Sequence, residues 1–583
     1  MRVTKMYLKV LLAFPLMMML FMSYSQELSG ISEDEPVTIS GGVNVNSVFY
    51  RSKDTLSTRE PFSFVVTGNV NLNLYNVVNC PISFTYSNYK ANWSQPFNFN
   101  QFGMAPSYKW IKAYIGYNSM SFSDYTLSGH QFLGLGIEVS PDIPWKYAVM
   151  YGRLLKPVEE DTTNTYNVPA YARYGYATSV EYLGHGSIKL VLFKAWDDES
   201  SLSAQPVKTQ LYPQSDLAFS ISVSEPVGER FTFNGEFSTS ALNTDTRNKE
   251  KKKDGERIFR VTQFLQKNTI STIYYCAYKS ALKYTGQGYG LGVSYERVNP
   301  GYETLGAYYF TNDFENITFD ASTILLKETL NISGRIGFQR NDLDRTNMSS
   351  TKKLIGSLNM QYAMSEKTSV SLSYSNFTGY TYIKNEFDNI NASDPYQNID
   401  TLKFTQINQS VSANISCRLG SEDDKNVQKT LNVNATIQNQ TMQQNKLHKP
   451  GTQFYNGNVS YNMNVQNMNL GVFFSLNGNY NKIPEMDDAL TVGPTIGGNK
   501  GWLENKLRIT TSLSYNNELI TNNNSAVWIF RAGSTYTLKE HHQFDLSFSE
   551  QNRLAKNQGR VNDLTFTVGY RYNFNVKYSE VFK

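Results

Sequence analysis

A chain of 583 residues is long enough for one large unit or several ordinary domains. Aromatic residues make up 14% of it and charged residues only 18%, and mean hydropathy is -0.43, so the chain is rich in aromatics and in uncharged Asn, Ser and Thr, and poor in aliphatics. Net charge is +4, close to neutral, which excludes the basic excess of a nucleic-acid binder.

At the N-terminus Arg2, Lys5 and Lys9 precede the apolar run Val10 to Met22, and Ser23 and Ser25 follow as a small-x-small pattern. These are the parts of a secretory signal peptide over residues 1–25, with cleavage expected between Ser25 and Gln26. The apolar run is about 13 residues, short of the roughly 20 that cross a bilayer as a helix. Gln26 is not Cys, so a lipoprotein is not expected. No second long apolar run follows, which excludes a helical inner-membrane protein and leaves a periplasmic, secreted or outer-membrane product of a Gram-negative cell.

Residues 26–36 are expected to be a short periplasmic segment, too little chain for the plug domain of a TonB-dependent transporter. Apolar–polar alternation begins near Val37 (Val37, Ile39, then Val43, Val45) and predicts a β-barrel over 37–578, with a tail over 579–583. Strand boundaries before Tyr284 are poorly marked, and Asn100 to Ser128 and Asp197 to Gln214 read as loops. Residues 243–257 (NTDTRNKEKKKDGER) read as a solvated charged loop. Residues 257–268 fit a short amphipathic helix or a bulged strand equally well, since Ile258, Val261, Phe264 and Leu265 share a helical face.

Further on, the alternation is strict. Leu330, Ile332, Gly334, Ile336 and Phe338 form one face against Asn331, Ser333, Arg335, Gly337 and Gln339. Leu431, Val433, Ala435 and Ile437, then Leu507, Ile509, Thr511, Leu513 and Tyr515, then Leu564, Phe566, Val568, Tyr570, Tyr572 and Phe574 repeat the pattern. These runs are about 10 to 14 residues, against a mean of about five to six for soluble strands and about 9 to 11 for strands that cross a bilayer. In lipid the sheet must also close, because an open edge would leave backbone groups unpaired. Short turns (Ser365-Glu366-Lys367, Gln466-Asn467-Met468, Lys539-Glu540-His541) alternate with longer loops (Gly379 to Lys403, Thr441 to Gln453, Glu518 to Asn524, Gln551 to Arg560), as in outer-membrane barrels. The fold class is therefore all-β: one transmembrane antiparallel barrel of about 26 strands, within a range of roughly 22 to 28.

The C-terminal VGYRYNF (Val568 to Phe574) resembles the aromatic closing-strand signal of outer-membrane barrels, although Asn575 to Lys583 follow it. The stretches Trp110 to Val139, Tyr151 to Asp161 and Asn299 to Thr318 resemble the large porin-like outer-membrane barrel proteins. That resemblance implies fold and outer-membrane location over nearly the whole mature chain; it brings no activity and no catalytic residues.

Chemistry-bearing residues are sparse. Cys80, Cys276 and Cys417 are far apart, lack metal spacing and read as small apolar residues on strands. Among five His, His130 near Ser128 and Asp124 is the best candidate base, but such neighbours are common in polar loops, so no enzyme is expected. His541-His542 lacks a third metal ligand, and Asp423-Asp424 and Asp487-Asp488 lack the further oxygens that calcium needs; no metal or cofactor is expected. What remains is a set of lumen-facing charges: Arg335, Arg418, Arg508, Arg531 and Arg571, with Glu138, Glu181 and Asp545. They would either tune ion selectivity, with the Arg bias favouring anions, or pair with one another in a packed lumen. Tyr515, Trp528, Phe530, Tyr570 and Tyr572 fit lipid-facing girdle positions.

Two functions follow: a passive channel for small polar solutes, or a structural, accessory or receptor barrel whose lumen is occluded by loops. A barrel this wide is hazardous if unblocked, which keeps the second in play. Expected partners are outer-membrane lipid and the barrel-assembly machinery, with a further protein partner left open and nucleic acid excluded.

Overall fold

The computed structural model describes residues 37–577 apart from 54–59, 89–99, 162–168, 207–210, 252–263, 308–310, 346–351, 377–378, 382–404, 408, 421–425, 440–441, 445–446, 450, 485, 521–523 and 556–558. The expected signal peptide, the segment 26–36, the tail 579–583 and Asp423-Asp424 lie outside the described residues, as do most of Gly379 to Lys403 and residues 252–257 of the charged stretch.

The staves run in chain order as β1 (Val37–Ser52), β2 (Phe62–Leu74), β3 (Val78–Ser87), β4 (Gln101–Met104, resumed at Ser107–Tyr108), β5 (Ile111–Ser119), β6 (Gln131–Val139), β7 (Trp145–Leu155), β8 (Ala172–Leu183) and β9 (Ser187–Asp198). They continue as β10 (Ser215–Val227), β11 (Phe231–Asn243), β12 (Thr272–Thr285), β13 (Tyr289–Val298), β14 (Phe314–Leu325), β15 (Leu330–Arg340), β16 (Lys352–Ala363) and β17 (Thr368–Ser375). The last are β18 (Gln409–Leu419), β19 (Val427–Asn439), β20 (Gln453–Val465), β21 (Leu470–Lys482), β22 (Ala489–Trp502), β23 (Leu507–Ile520), β24 (Ser525–Leu538), β25 (His542–Ala555) and β26 (Gly559–Lys577). Each pairs antiparallel with the next, and β1 pairs with β26 from Thr38↔Lys577 to Ser52↔Asp563, so the 26-stranded sheet closes. Closure leaves no edge to template aggregation or to sit unpaired in lipid.

Three sequence expectations are refined. Asn100 to Ser128 is not all loop: β4 and β5 occupy most of it. Pro106 cannot donate to a ladder, so β4 breaks there and its period is obscured, while Ala113 N–H donates to the Pro106 carbonyl across the gap (2.8 Å). Gln551 to Arg560 is not a long loop either, because β25 reaches Ala555 and β26 starts at Gly559. The loop expected over Glu518 to Asn524 likewise narrows, because β23 runs to Ile520. Beyond these, short hairpins, Met442–Gln444 with Leu447–Lys449 and Gly379–Thr381 with Thr405–Ile407, rise from two of the long connections.

One end of the barrel carries tight turns. Tyr75-Asn76 and Lys539-Glu540 each place two consecutive non-glycine residues at positive φ, the requirement of hairpin turns whose twist matches their strands. The other end carries the long connections.

Strand parity sorts side chains. Outward positions such as Phe338, Leu476, Ile496 and Phe566 are 70%, 45%, 57% and 41% exposed. Soluble strands would bury such residues; here they form the lipid face. Aromatics cluster at both ends of this band: Trp145 with Tyr182, Phe231 with Tyr284 and Phe544 with Tyr570 toward the tight turns, and Phe49 with Phe62 and Tyr515 with Trp528 toward the long loops. Interfacial girdles of this kind anchor barrels at the two lipid–water boundaries. The protein is an outer-membrane β-barrel. All three cysteines lie on strands, with lipid-face parity, and none is in a disulfide.

Parity gives a direct expectation. Leu476→Arg, at mid-strand on the lipid face, should cost about 2–4 kcal/mol, and its inward neighbour Asn477→Arg far less. Unfolding in urea from lipid vesicles, compared between the two variants, checks this; equal losses would mean that the faces are assigned wrongly.

Candidate functional site: the lumen

The two halves of the inner wall differ in chemistry. On β5 to β9 the inward positions include Tyr114, Phe132, Met150, Leu154, Ala177, Val191, Phe193 and Ala195, all buried. Their cover comes from two connections at the long-loop end that turn into the barrel: residues 120–130, between β5 and β6, and residues 299–307 of the connection between β13 and β14. The first contributes Met120, Phe122 and Leu127, and the second Leu305, to the same apolar cluster. A second cluster joins Tyr125 and Tyr302 to Ala277, Val298 and Phe314. Small inward residues make room: a Cβ at Gly136 would lie 2.5 Å from the Met120 sulfur.

The two segments are also tied to each other and to the wall by polar contacts. Tyr302 Oη donates to the Tyr125 carbonyl (2.5 Å) and Thr304 Oγ1 to the Thr126 carbonyl (2.7 Å). Asp216, fully buried on β10, accepts from the Leu305 backbone N–H (3.1 Å) and from Ser240 Oγ (2.8 Å), and Ser240 Oγ also reaches the Glu303 carbonyl. Ser123 Oγ donates to Glu236 (2.5 Å) and Tyr125 Oη to Glu296 (2.6 Å), while Lys279 pairs with Asp124 and Glu236. A buried carboxylate with several donors is far less costly than an unpaired one. Burial pushes the pKa of the Glu303 carboxyl up, and that of the Tyr302 hydroxyl well up.

Gly306 sits where the two inward segments meet the wall most tightly. A Cβ there would collide with the Thr126 carbonyl and lie 2.8 Å from the Phe193 ring, which is itself fully buried. Gly306→Ala should therefore loosen both inward segments, visible as faster hydrogen exchange at 120–130 with the barrel amides unchanged.

A third connection folds outward. Leu265 packs on the outer wall against Leu217, Ala241 and Tyr274, and Gln266 accepts from the outward-facing, buried Lys194. Residues 252–263 lie outside the described residues; of the helix or bulged strand expected over 257–268, the described part from Phe264 is irregular, with a single bridge Lys251↔Thr269.

The opposite wall is polar and accessible. No residue of β18, β19 or β20 is buried. Inward positions there are Asn, Ser, Thr and Gln, with Phe454 an exception and Arg418 at the tight-turn end.

The expected lumen-facing charges are spread over the wall and do not form one ring. Arg335 ion-pairs with Asp320 on the neighbouring strand. Arg531 lies at mid-height in a row with Ser512 and Ser549. Arg418, Arg508 and Arg571 lie close to the tight-turn end, Arg571 opposite Gln543 and Asn44. Asp545 accepts from Thr535 Oγ1 (2.7 Å) and Gln543. Glu138 accepts from Tyr114 Oη (2.9 Å), and Glu181 stands in register between Lys146 and Lys189. His130 is 2% exposed, with Nδ1 2.7 Å from the Gln131 carbonyl, and Asp124 is engaged by Lys279. His541 and His542 sit at the β24–β25 turn against the Asn573 carbonyl and Tyr570 Oη, and Asp488 accepts from Tyr480 Oη.

No protein-family model matches the sequence, and no curated protein matches it. Solved structures with a similar outline include the P pilus usher (PapC) translocation pore, 9% identical over 92% of this chain and 100% of that chain, TM-score 0.38. A mutant ferric enterobactin receptor (PfeA) from Pseudomonas aeruginosa is 11% identical over 92% and 80%, TM-score 0.40. OccAB4 from Acinetobacter baumannii is 9% identical over 74% and 98%, TM-score 0.26. Likeness at this level carries no argument; the barrel rests on its own closed ladder.

Proposed function

We propose that the protein is a passive channel for small polar solutes whose lumen is narrowed from one side. The observation that carries this reading is the contrast between the walls. Two inward segments fill the space against β5 to β13, and the inner face of β18 to β20 stays accessible and polar. A barrel of this strand number encloses far more space than side chains can fill. Filling it from one side turns it into a narrower passage with a hydrophilic wall. The tight turns would face the periplasm and the long loops the exterior. Outer-membrane lipid surrounds the barrel, insertion would need the assembly machinery, and no reaction is assigned to His130.

The docking of the inward segments favours a second reading, an accessory or receptor barrel with its lumen shut. Planar-bilayer recording on purified protein, with folding checked by heat-modifiable gel mobility, separates the two. Steady openings support the channel. A folded barrel that stays silent overturns it in favour of the occluded reading.

A further inference from the structure

The polar wall carries one chemistry over a wide area. Asn414, Asn434, Asn458 and Asn477 stand in one row across β18 to β21. Their carboxamides are chained: Asn414 donates to Asn434, Asn434 to Asn458 (3.4 Å) and Asn458 to Asn477 (2.6 Å). Neighbouring rows on the same face hold Ser412, Thr436, Asn456 and Asn479 on one side and Ser416, Asn432, Ser460 and Ser475 on the other. Among the described residues, the inward positions of β17, β19, β20, β21 and β22 carry no Asp, Glu, Lys or Arg. Phe473 also points inward, in register with Asn462 and Gly497, and its ring lies over the bare Gly497 backbone, where a Cβ would meet Cζ at 2.5 Å.

A carboxamide offers donors and acceptors together without charge. Each chained Asn spends part of that capacity on its neighbour and keeps the rest for the lumen, at the strand spacing of about 4.8 Å. An ion moving along such a wall finds no counter-charge to replace lost hydration. A neutral molecule rich in hydroxyls exchanges water for amide hydrogen bonds at nearly equal strength, and the Phe473 ring offers a flat apolar surface to the C–H face of a sugar ring.

We infer that the solute class is neutral and polyhydroxylated, a short saccharide moving along the Asn wall of β18 to β21 with Phe473 against its ring face. This rests on the channel reading above. It also departs from the anion preference suggested by the Arg residues, most of which lie near one mouth.

The test is swelling of liposomes that contain the full-length protein, in iso-osmotic lactose, lactobionate or glycerol. Lactobionate is lactose oxidised at its reducing end, similar in size and bearing one negative charge. Lactose is expected to enter several-fold faster than lactobionate. Phe473→Leu, and separately Asn434→Leu with Asn458→Leu, should lower the ratio of lactose entry to glycerol entry, since glycerol is smaller and has no ring face; the milder Phe473 variant covers the case in which the double variant fails to fold. Lactobionate entering as fast as lactose, or variants that leave that ratio unchanged, would overturn the inference and leave the channel standing. A folded barrel that admits none of the three, glycerol included, would overturn both.

Discussion

Tyr302→Ala is expected to unseat the two inward segments and raise the single-channel conductance several-fold while the barrel stays folded. Tyr302 is fully buried, with its ring edge-on to Tyr125 (centroids 6.1 Å apart) and Tyr275 (6.4 Å) and its hydroxyl on the Tyr125 carbonyl. Truncating a buried aromatic typically costs about 3–5 kcal/mol, and here a carbonyl also loses its donor. Two irregular segments held by a few such contacts cannot absorb that loss, whereas the 26-stranded ladder does not depend on them. The checks are bilayer recording and limited proteolysis: larger openings and new cuts within 120–130 or 299–313. Unchanged conductance with intact segments would show that Tyr302 does not hold them in place.

The second large effect is on pH. Burial lowers the His130 pKa from 6.5 to about 4, and the nearby Arg173 charge acts in the same direction. The unfolded or undocked segment binds a proton near pH 6.5, and the docked one does so only near pH 4. Docking is therefore fully stable above about pH 6.5 and weakens as pH falls toward 4. At about 1.4 kcal/mol per pKa unit, the full loss is on the order of 3 kcal/mol. Glu303, whose partly desolvated carboxyl has a raised pKa that works in the opposite sense, offsets part of this, so the comparison must be made against His130→Phe. Wild-type protein should become protease-sensitive at 120–130 between pH 7.5 and 5, and the Phe variant should not. Equal sensitivity in both would remove His130 as the cause.

The sequence made the C-terminal half of this barrel legible for a physical reason. Strands such as Leu431 to Gln438 separate lipid from water, so their two faces differ and period two is plain. The polar faces of these strands hold many Asn residues, but only the register shows Asn414, Asn434, Asn458 and Asn477 in one row. The first half reads poorly because β6 to β9 carry apolar or small residues at mid-strand on both faces, with charges such as Glu138, Lys146, Glu181 and Lys189 toward the tight-turn end of the inner one. Phe132, Met150 and Phe193 point inward against the segments that fill the lumen, so the alternation that marks a strand is lost. The excess of Gly and Ala at inward positions, such as Gly136, Gly152, Gly175 and Ala177, was the one local signal that something fills the lumen there. The inward turn of residues 120–130 and 299–307 depends on contacts between residues some 180 positions apart, such as Thr304 with Thr126, which no local pattern encodes. Of the two roles expected for the lumen-facing charges, selectivity or mutual pairing, Arg335 takes part in a local pair with Asp320.

The measurement that tests this asymmetric lumen most directly is thiol labelling from outside intact cells. Single cysteines would be introduced at Asn434, Asn458, Ala177 and Ala218 in a background with Cys80, Cys276 and Cys417 replaced by Ser, and exposed to a small membrane-impermeant maleimide. Rapid labelling at 434 and 458 with protection at 177 and 218 is the predicted result, a lumen wet along one wall and filled along the other. Protection at 434 and 458, or labelling of all four alike, would contradict it.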